Sequence, residues 1–217
     1  MDDVEAIGLL QDPVRRRLYE AVVAHGGEVT RAEVASATDV ARNLVGFHLD
    51  KLVGAGLLEV DERRVNGRTG PGAGRPAKVY RRTSVERTLS LPARDYRLAA
   101  EVLADAAEEV RLDEALEAAA RRRGLALRVD GEAGSVEQLR ALGYEPYDDG
   151  DGVTRLANCP FHAVAEAHPG LVCGMNLALL EGMLGDVPGV DVVLDARPDI
   201  GCCVALVPKG RSKNNHD

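Results

Sequence analysis

The sequence has no tryptophan, and all aromatic residues together make up only 3% of it. Aliphatic packing must therefore form the cores, because aromatic rings are too few to supply them. No run of eighteen apolar residues occurs, so a membrane-spanning helix is not expected. The opening MDDVEA lacks a basic region before an apolar one. No signal peptide is expected, and the chain reads as cytoplasmic. Cysteine is scarce, with four residues confined to positions 159–203. In a reducing cytosol such a cluster points to ligands or reactive thiols more than to disulfides. Neither a phosphate loop nor a nucleophile elbow is present. Asp191, Asp195 and Asp199 have no histidine partner at helical spacing, so an enzyme is not expected. No internal repeat is found.

What is present is enough to fold. Hydrophobic residues make up 45% of 217 residues, sufficient for one to two domains. The net charge of -8 looks wrong for a nucleic-acid binder until it is divided. Residues 1–90 carry 14 Lys and Arg against 13 Asp and Glu, whereas residues 91–217 carry 13 against 22. Residues 63–82 hold seven basic residues and no acid. A local basic strip can approach phosphate where an acidic module cannot, so any DNA contact belongs to the N-terminal part.

The local signals predict a fold. Asp12-Pro13 opens a helix running to about Ala24, since Asp caps and proline fits the first turn. Thr30 and Glu33 form a capping box for a short second helix. A break near Thr38-Asp39 precedes a third helix at about 41–54, whose Val45, Leu49 and Leu52 recur at helical spacing. Strands are predicted from Leu57 and over Ala77–Arg82, flanking a glycine- and proline-rich tip at Asn66–Gly74. Three helices, a strand, a basic tip and a returning strand describe a winged helix.

Further on, Ala93–Arg123 reads as one helix or as two with a break near Arg111–Asp113. Leu125–Val129 is predicted as a strand, Ser135–Leu142 as a helix, Val153–Leu156 as a strand, and Phe161–Ala167 and Leu171–Leu184 as helices. Val190–Leu194 and Cys202–Val207 close the pattern as strands. The fold class is α+β. A winged helix-turn-helix spans 1–84, a helical linker or dimerisation segment 85–124, a cysteine-containing α+β sensor domain 125–208, and a disordered tail 209–217.

In a helix-turn-helix the second helix of the pair enters the major groove. Here that helix buries Val45, Leu49 and Leu52 and is expected to offer Arg42, Asn43, Gly46, Phe47 and Lys51. Arg42 suits guanine and Asn43 suits adenine. Gly46 would allow close backbone approach, and Phe47 would either meet a thymine methyl or pack under the wing. Thr30 at the helix cap, with Arg63, Arg64, Arg68 and Arg75 of the wing, completes the expected DNA-binding set. The segment resembles winged-helix regulators of the ArsR, MarR and DeoR type. The matching residues are Asp12-Pro13-Val14-Arg15-Arg16, the run Leu49 to Leu58 with Leu52, Gly56 and Leu57, and Gly74-Arg75-Pro76-Ala77 with Tyr80. That resemblance implies a homodimer on a pseudo-palindromic DNA operator.

The second chemical signal is sulfur. Cys159, Cys173, Cys202 and Cys203, with His162, form a candidate metal set. Three thiolates plus one further ligand suit zinc or an iron–sulfur cluster, whereas the same cysteines also suit buried inert thiols or thiol redox chemistry. The run Cys159-Pro160-Phe161-His162 to His168-Pro169 and Cys173, followed by Leu184-Gly185 and Gly201-Cys202-Cys203, resembles the C-terminal domain of the iron–sulfur-sensing repressors of the SUF operon. The resemblance implies that Cys159, Cys173 and Cys202 hold a cluster; His162 leaves room for zinc. The expected function is a DNA-binding transcriptional regulator that senses a metal ion or cluster. The alternative is a winged-helix regulator of an organic ligand, with structural zinc or no metal.

Overall fold

The computed structural model describes residues 2–63, 76–90, 92, 94–128, 132–196 and 201–210. The chain divides into two compact units, Met1–Arg94 and Asp95–Asp217.

The first unit opens with α1 (Asp3–Gly8) and a turn of 3-10 helix at Leu9–Gln11, which the sequence reading does not anticipate. Helix α2 (Pro13–Ala24) starts as predicted, with the Asp12 carboxylate accepting from the Val14 and Arg15 amides. A two-residue strand β1 (Val29–Thr30) leads into α3 (Arg31–Thr38), where the capping box of Thr30 and Glu33 is complete. Asp39 takes a left-handed conformation at φ 53, and this residue makes the turn into α4 (Arg42–Gly54). Strands β2 (Leu58–Arg63) and β3 (Ala77–Arg82) pair antiparallel, with Val60 opposite Tyr80. Strand β1 adds to the far side of β3, giving the order β1-β3-β2. Leu18, Val22, Val34, Val45, Leu49, Leu52, Leu58 and Tyr80 share one core. The interior is aliphatic around one fully buried tyrosine ring, with the half-buried Tyr19 packed against it. The tip of the hairpin, with Arg64, Arg68 and Arg75, lies outside the described residues.

The second unit begins with α5 (Tyr96–Glu109) and α6 (Asp113–Ala126). The break falls where the sequence allows it, and Arg111 turns there at φ 52. The predicted strand at Leu125–Val129 does not form in its described part: α6 continues through Leu125 to Ala126, and Leu127 and Arg128 close it. The alanine-rich run before it propagates the helix, and three apolar residues alone cannot switch its period. Helix α7 (Glu132–Ala141) leads to strands β4 (Pro146–Asp148) and β5 (Thr154–Leu156), the first of these unanticipated. Helices α8 (His162–Ala165) and α9 (Pro169–Leu184) follow, with Pro169 in the first turn of the latter. Strands β6 (Val190–Leu194) and β7 (Val204–Pro208) complete an antiparallel sheet of order β4-β5-β7-β6. The last strand starts two residues later than predicted.

Helix α9 is the axis of this unit, and the apolar residues Leu171, Leu180, Met183 and Leu184 are buried on it. It packs closely on α6 because each helix places a glycine at the crossing. A Cβ on Gly124 would run into the carbonyl of Leu179, and one on Gly182 into the carbonyl of Arg121. Ion pairs of Arg121 with Glu181 and of Arg128 with Asp186 flank the seam.

Candidate functional site

The exposed side of α4 is set by its apolar side. Val45, Leu49 and Leu52 are fully buried, and helical periodicity then turns Arg42, Asn43, Phe47 and Lys51 outward. Phe47 is 54% exposed, so it does not pack beneath the hairpin. Its ring lies edge-on to His48, and the Lys51 ammonium sits 5.0 Å from its centre. His48 is buried, and its Nδ1 accepts from Arg15 Nε at 3.4 Å.

Gly46 corrects the sequence reading. It is buried, and a Cβ there would lie 3.2 Å from the guanidinium of Arg31. The missing side chain makes room for an arginine of the neighbouring helix and does not present backbone to solvent. The Arg31 guanidinium donates from Nε to the Tyr80 hydroxyl at 2.7 Å and from Nη2 to both oxygens of Asp50 at 2.9 and 3.0 Å. Tyr80 also donates to Asp50 at 3.1 Å, and Lys78 Nζ lies 3.3 Å away. Partial burial pushes the Asp50 carboxyl up, but hydrogen bonds from Lys78, Tyr80 and Arg31 outweigh it and hold the group below its ordinary range. One carboxylate thus joins α3, α4 and β3.

Thr30 is engaged in its own capping box: its hydroxyl donates to Glu33 at 2.7 Å. Arg63 stands at the root of the hairpin, 58% exposed and 2.8 Å from Glu28. Arg81 lies against Glu59 of β2 and against Glu28, the residue before β1. The basic strip is therefore partly neutralised by acids from β1's approach and from β2, which sequence counting over 63–82 cannot show.

A helix on a tight turn, an outward arginine and asparagine near its start, and an antiparallel hairpin behind it are the parts of a duplex-reading module. Residues 9–61 match the helix-turn-helix domain family. The helix-turn-helix is a DNA-binding regulatory domain and not a catalytic one. The match ends within β2, so it covers the three-helix core and leaves the returning strand and the second unit outside it. No curated protein and no solved structure matches the chain.

In the second unit the four cysteines come together from three places in the chain. Cys159 follows β5, Cys173 lies in α9, and Cys202 and Cys203 precede β7. Cys159 and Cys202 are buried, whereas Cys173 and Cys203 are half-buried. The neighbouring Cys159 and Cys203 thiols, with the Val204 amide and Asn176, hold the Cys202 thiol well below its ordinary range despite its burial. Cys159 and Cys203 are pushed upward, first by the adjoining Cys202 sulfur and then by removal from solvent, which is only partial for Cys203. Cys203 also interacts with Cys173, so the sulfurs form a chain of neighbours.

Asn176 and Tyr144 belong to this site, and the sequence reading misses both. Asn176 is fully buried. Its Nδ2 lies 3.4 Å from Cys202 Sγ and 3.9 Å from Cys159 Sγ, while its Oδ1 accepts from the Tyr144 hydroxyl at 2.5 Å. Burial, reinforced by the nearby thiols, pushes the Tyr144 hydroxyl far above its ordinary range, so it stays a donor. The signal in the sequence is the position of Asn176, three residues past Cys173 in the otherwise apolar stretch 171–180 of that helix.

His162 is placed differently from the cysteines. It is half exposed at the start of α8, with Nε2 3.4 Å from Glu166. His168 is buried, its Nδ1 2.9 Å from Glu108 and its Nε2 3.6 Å from Asp105 of α5. Among the described residues, no group of three or more His, Cys, Asp or Glu side chains is arranged to hold a metal ion. Sulfur is a soft donor as a class, and the Asn176 amide reaches the sulfurs of both Cys159 and Cys202. No helix is long and apolar enough to cross a membrane among the described residues.

Proposed function

We propose that the protein is a sequence-specific transcriptional regulator that reads double-stranded DNA as a homodimer and responds through its cysteine cluster to a soft metal ion or an iron–sulfur cluster. The observation that carries the DNA half is the outward face of α4, with Arg42 and Asn43 exposed in its first turn. Arg42 would donate a bidentate pair to guanine, and Asn43 would pair with adenine. Phe47 and Lys51 would extend the contact to a thymine methyl and to phosphate.

A homodimer on a pseudo-palindromic operator fits the apolar stripe on α5. Tyr96, Ala99, Leu103, Ala106 and Val110 recur at alternating spacings of three and four and are all exposed. That spacing is the seam pattern of paired helices.

The sensing half rests on the gathered thiols. Cys159, Cys173 and Cys202 would hold the metal group, with Cys203 adjoining and His162 turned toward Glu166. When bound, the group would supply a cross-link among β5, α9 and β7 that is lost with metal or on oxidation. Linkage then requires its occupancy to favour one DNA-binding state of the protein over another. The test is metal analysis and the absorption spectrum of protein purified without oxygen. Stoichiometric iron with sulfide and visible charge-transfer bands is the expected result. Colourless protein with bound zinc would make the metal structural, and metal-free protein would leave the effector to organic ligands.

A further inference from the structure

Arg31 begins α3, yet its guanidinium lies on α4. It fills the space over Gly46, where a Cβ would stand 3.2 Å from both Cζ and Nη1. Asn43, Gly46 and Asp50 share one strip of α4, because positions three and four apart are neighbours on a helix surface. Asn43 and Asp50 are exposed. The cation from α3 therefore stands in the outward strip at the place where α4 has no side chain of its own. It is held there from two sides. Nε donates to the Tyr80 hydroxyl at 2.7 Å, and Nη2 donates to both oxygens of Asp50 at 2.9 and 3.0 Å. Nη1 meets no acceptor among the described residues, and the side chain remains 36% exposed. A planar guanidinium fixed at two nitrogens and open at the third is a donor already set in direction.

We infer that Arg31 is a specificity-determining residue of the DNA-reading face, donating from Nη1 to the O6 and N7 acceptors of a guanine while Asp50 and Tyr80 hold its guanidinium in place. This inference rests on the DNA reading given above and adds to it a side chain from the first helix of the pair. Charge favours a base over a phosphate at this point. Asp50 matches the positive charge of Arg31, and an exposed carboxylate 2.9 Å from the guanidinium repels a phosphate that approaches it. A guanine edge is neutral and offers two acceptors in the major groove. Restraint adds to this, since a side chain ordered before binding loses less freedom when it binds. Gly46 serves the arrangement by leaving its place on α4 to the arginine.

The test uses the full chain and a duplex that it selects from a random pool. Each guanine of that duplex is replaced in turn by 7-deazaguanine, which lacks the N7 acceptor, and affinity is read by fluorescence anisotropy. Arg31→Met and Arg31→Lys are measured on the same set. The lysine keeps a cation beside Asp50, and so the folded knot, but loses the planar fork. Both variants should bind the selected duplex about 5- to 100-fold more weakly and lose their preference at one guanine. The 7-deaza replacement at that guanine should weaken the unsubstituted protein and leave both variants unchanged. A phosphate contact would behave differently. Equal losses for Arg31→Met on selected and random duplexes, a salt slope reduced by about 1, and binding retained by Arg31→Lys would overturn the inference. So would variants that stay sensitive at every guanine to which the unsubstituted protein is sensitive. A chain that selects no duplex overturns the DNA reading as well, so the two failures are distinct.

Discussion

The guanidinium of Arg31 lies over Gly46 and donates to both oxygens of Asp50, at 2.9 and 3.0 Å. This pair fastens the first helix of the helix-turn-helix to the second, and through Tyr80 and Lys78 it reaches the hairpin strand. The orientation of α4 against the hairpin is thus held by a charged knot at the surface, beside the aliphatic core.

Because the knot is partly exposed, its energy is modest. Exposed ion pairs contribute about 0.2–1 kcal/mol. A double-mutant cycle on Arg31→Ala and Asp50→Ala, read by urea denaturation, should show a coupling of about 0.5–1 kcal/mol. The pH dependence has a definite sign. The Asp50 carboxyl is held below its unfolded value of about 3.9. Its contribution is present above that value and is lost as pH falls through the lower folded one. Asp50→Asn should therefore flatten the acid limb of the stability profile; an unaltered limb would show that the carboxylate contributes nothing.

Arg42 and Asn43 are exposed on α4, so their loss should leave folding intact. On a duplex selected by the unsubstituted protein, Arg42→Ala and Asn43→Ala should each cost about 1–3 kcal/mol and relax preference at a single base position. Lys51→Ala should instead weaken all duplexes alike and reduce the slope of log affinity against log salt by about 1. Fluorescence anisotropy across a salt series separates the two behaviours. Equal losses on selected and random duplexes for Arg42→Ala would remove it from the base readers.

Gly124 and Gly182 let α6 and α9 approach so closely that a methyl on either would meet backbone. Backbone cannot swing aside as a side chain can. Gly182→Ala is expected to destabilise the second unit by about 1–3 kcal/mol, the range for overpacking, despite the better helix propensity of alanine. Thermal melting followed by circular dichroism measures it. A rise in melting temperature would mean that the helices part without cost.

Leu103 stands in the middle of the α5 stripe and is 71% exposed. If two copies pair there, Leu103→Glu should shift sedimentation from dimer to monomer while leaving the far-ultraviolet spectrum unchanged. A dimer that survives this charge assembles through another surface.

Much of the backbone was legible in the sequence because its signals are local. Asp12-Pro13, the capping box of Thr30 and Glu33, and the turn at Asp39 each work within a few residues. Even the break near Arg111 announced itself. The continuation of α6 through Leu125 did not, since the helix is extended by its neighbours and not by the residues in question. The outward face of α4 followed from the spacing of Val45, Leu49 and Leu52. Gly46 did not follow, because the arginine that fills its space comes from another helix.

The same division runs through the thiol site. Sequence alone determined that the cysteines fall within the last third of the chain and that the helix-turn-helix lies near its start. Only the folded chain decided that His162 turns to Glu166 and that Asn176 lies between Cys159 and Cys202. Those facts depend on side chains brought together from distant strands and helices, and no pattern within one segment encodes where a partner from another segment will lie.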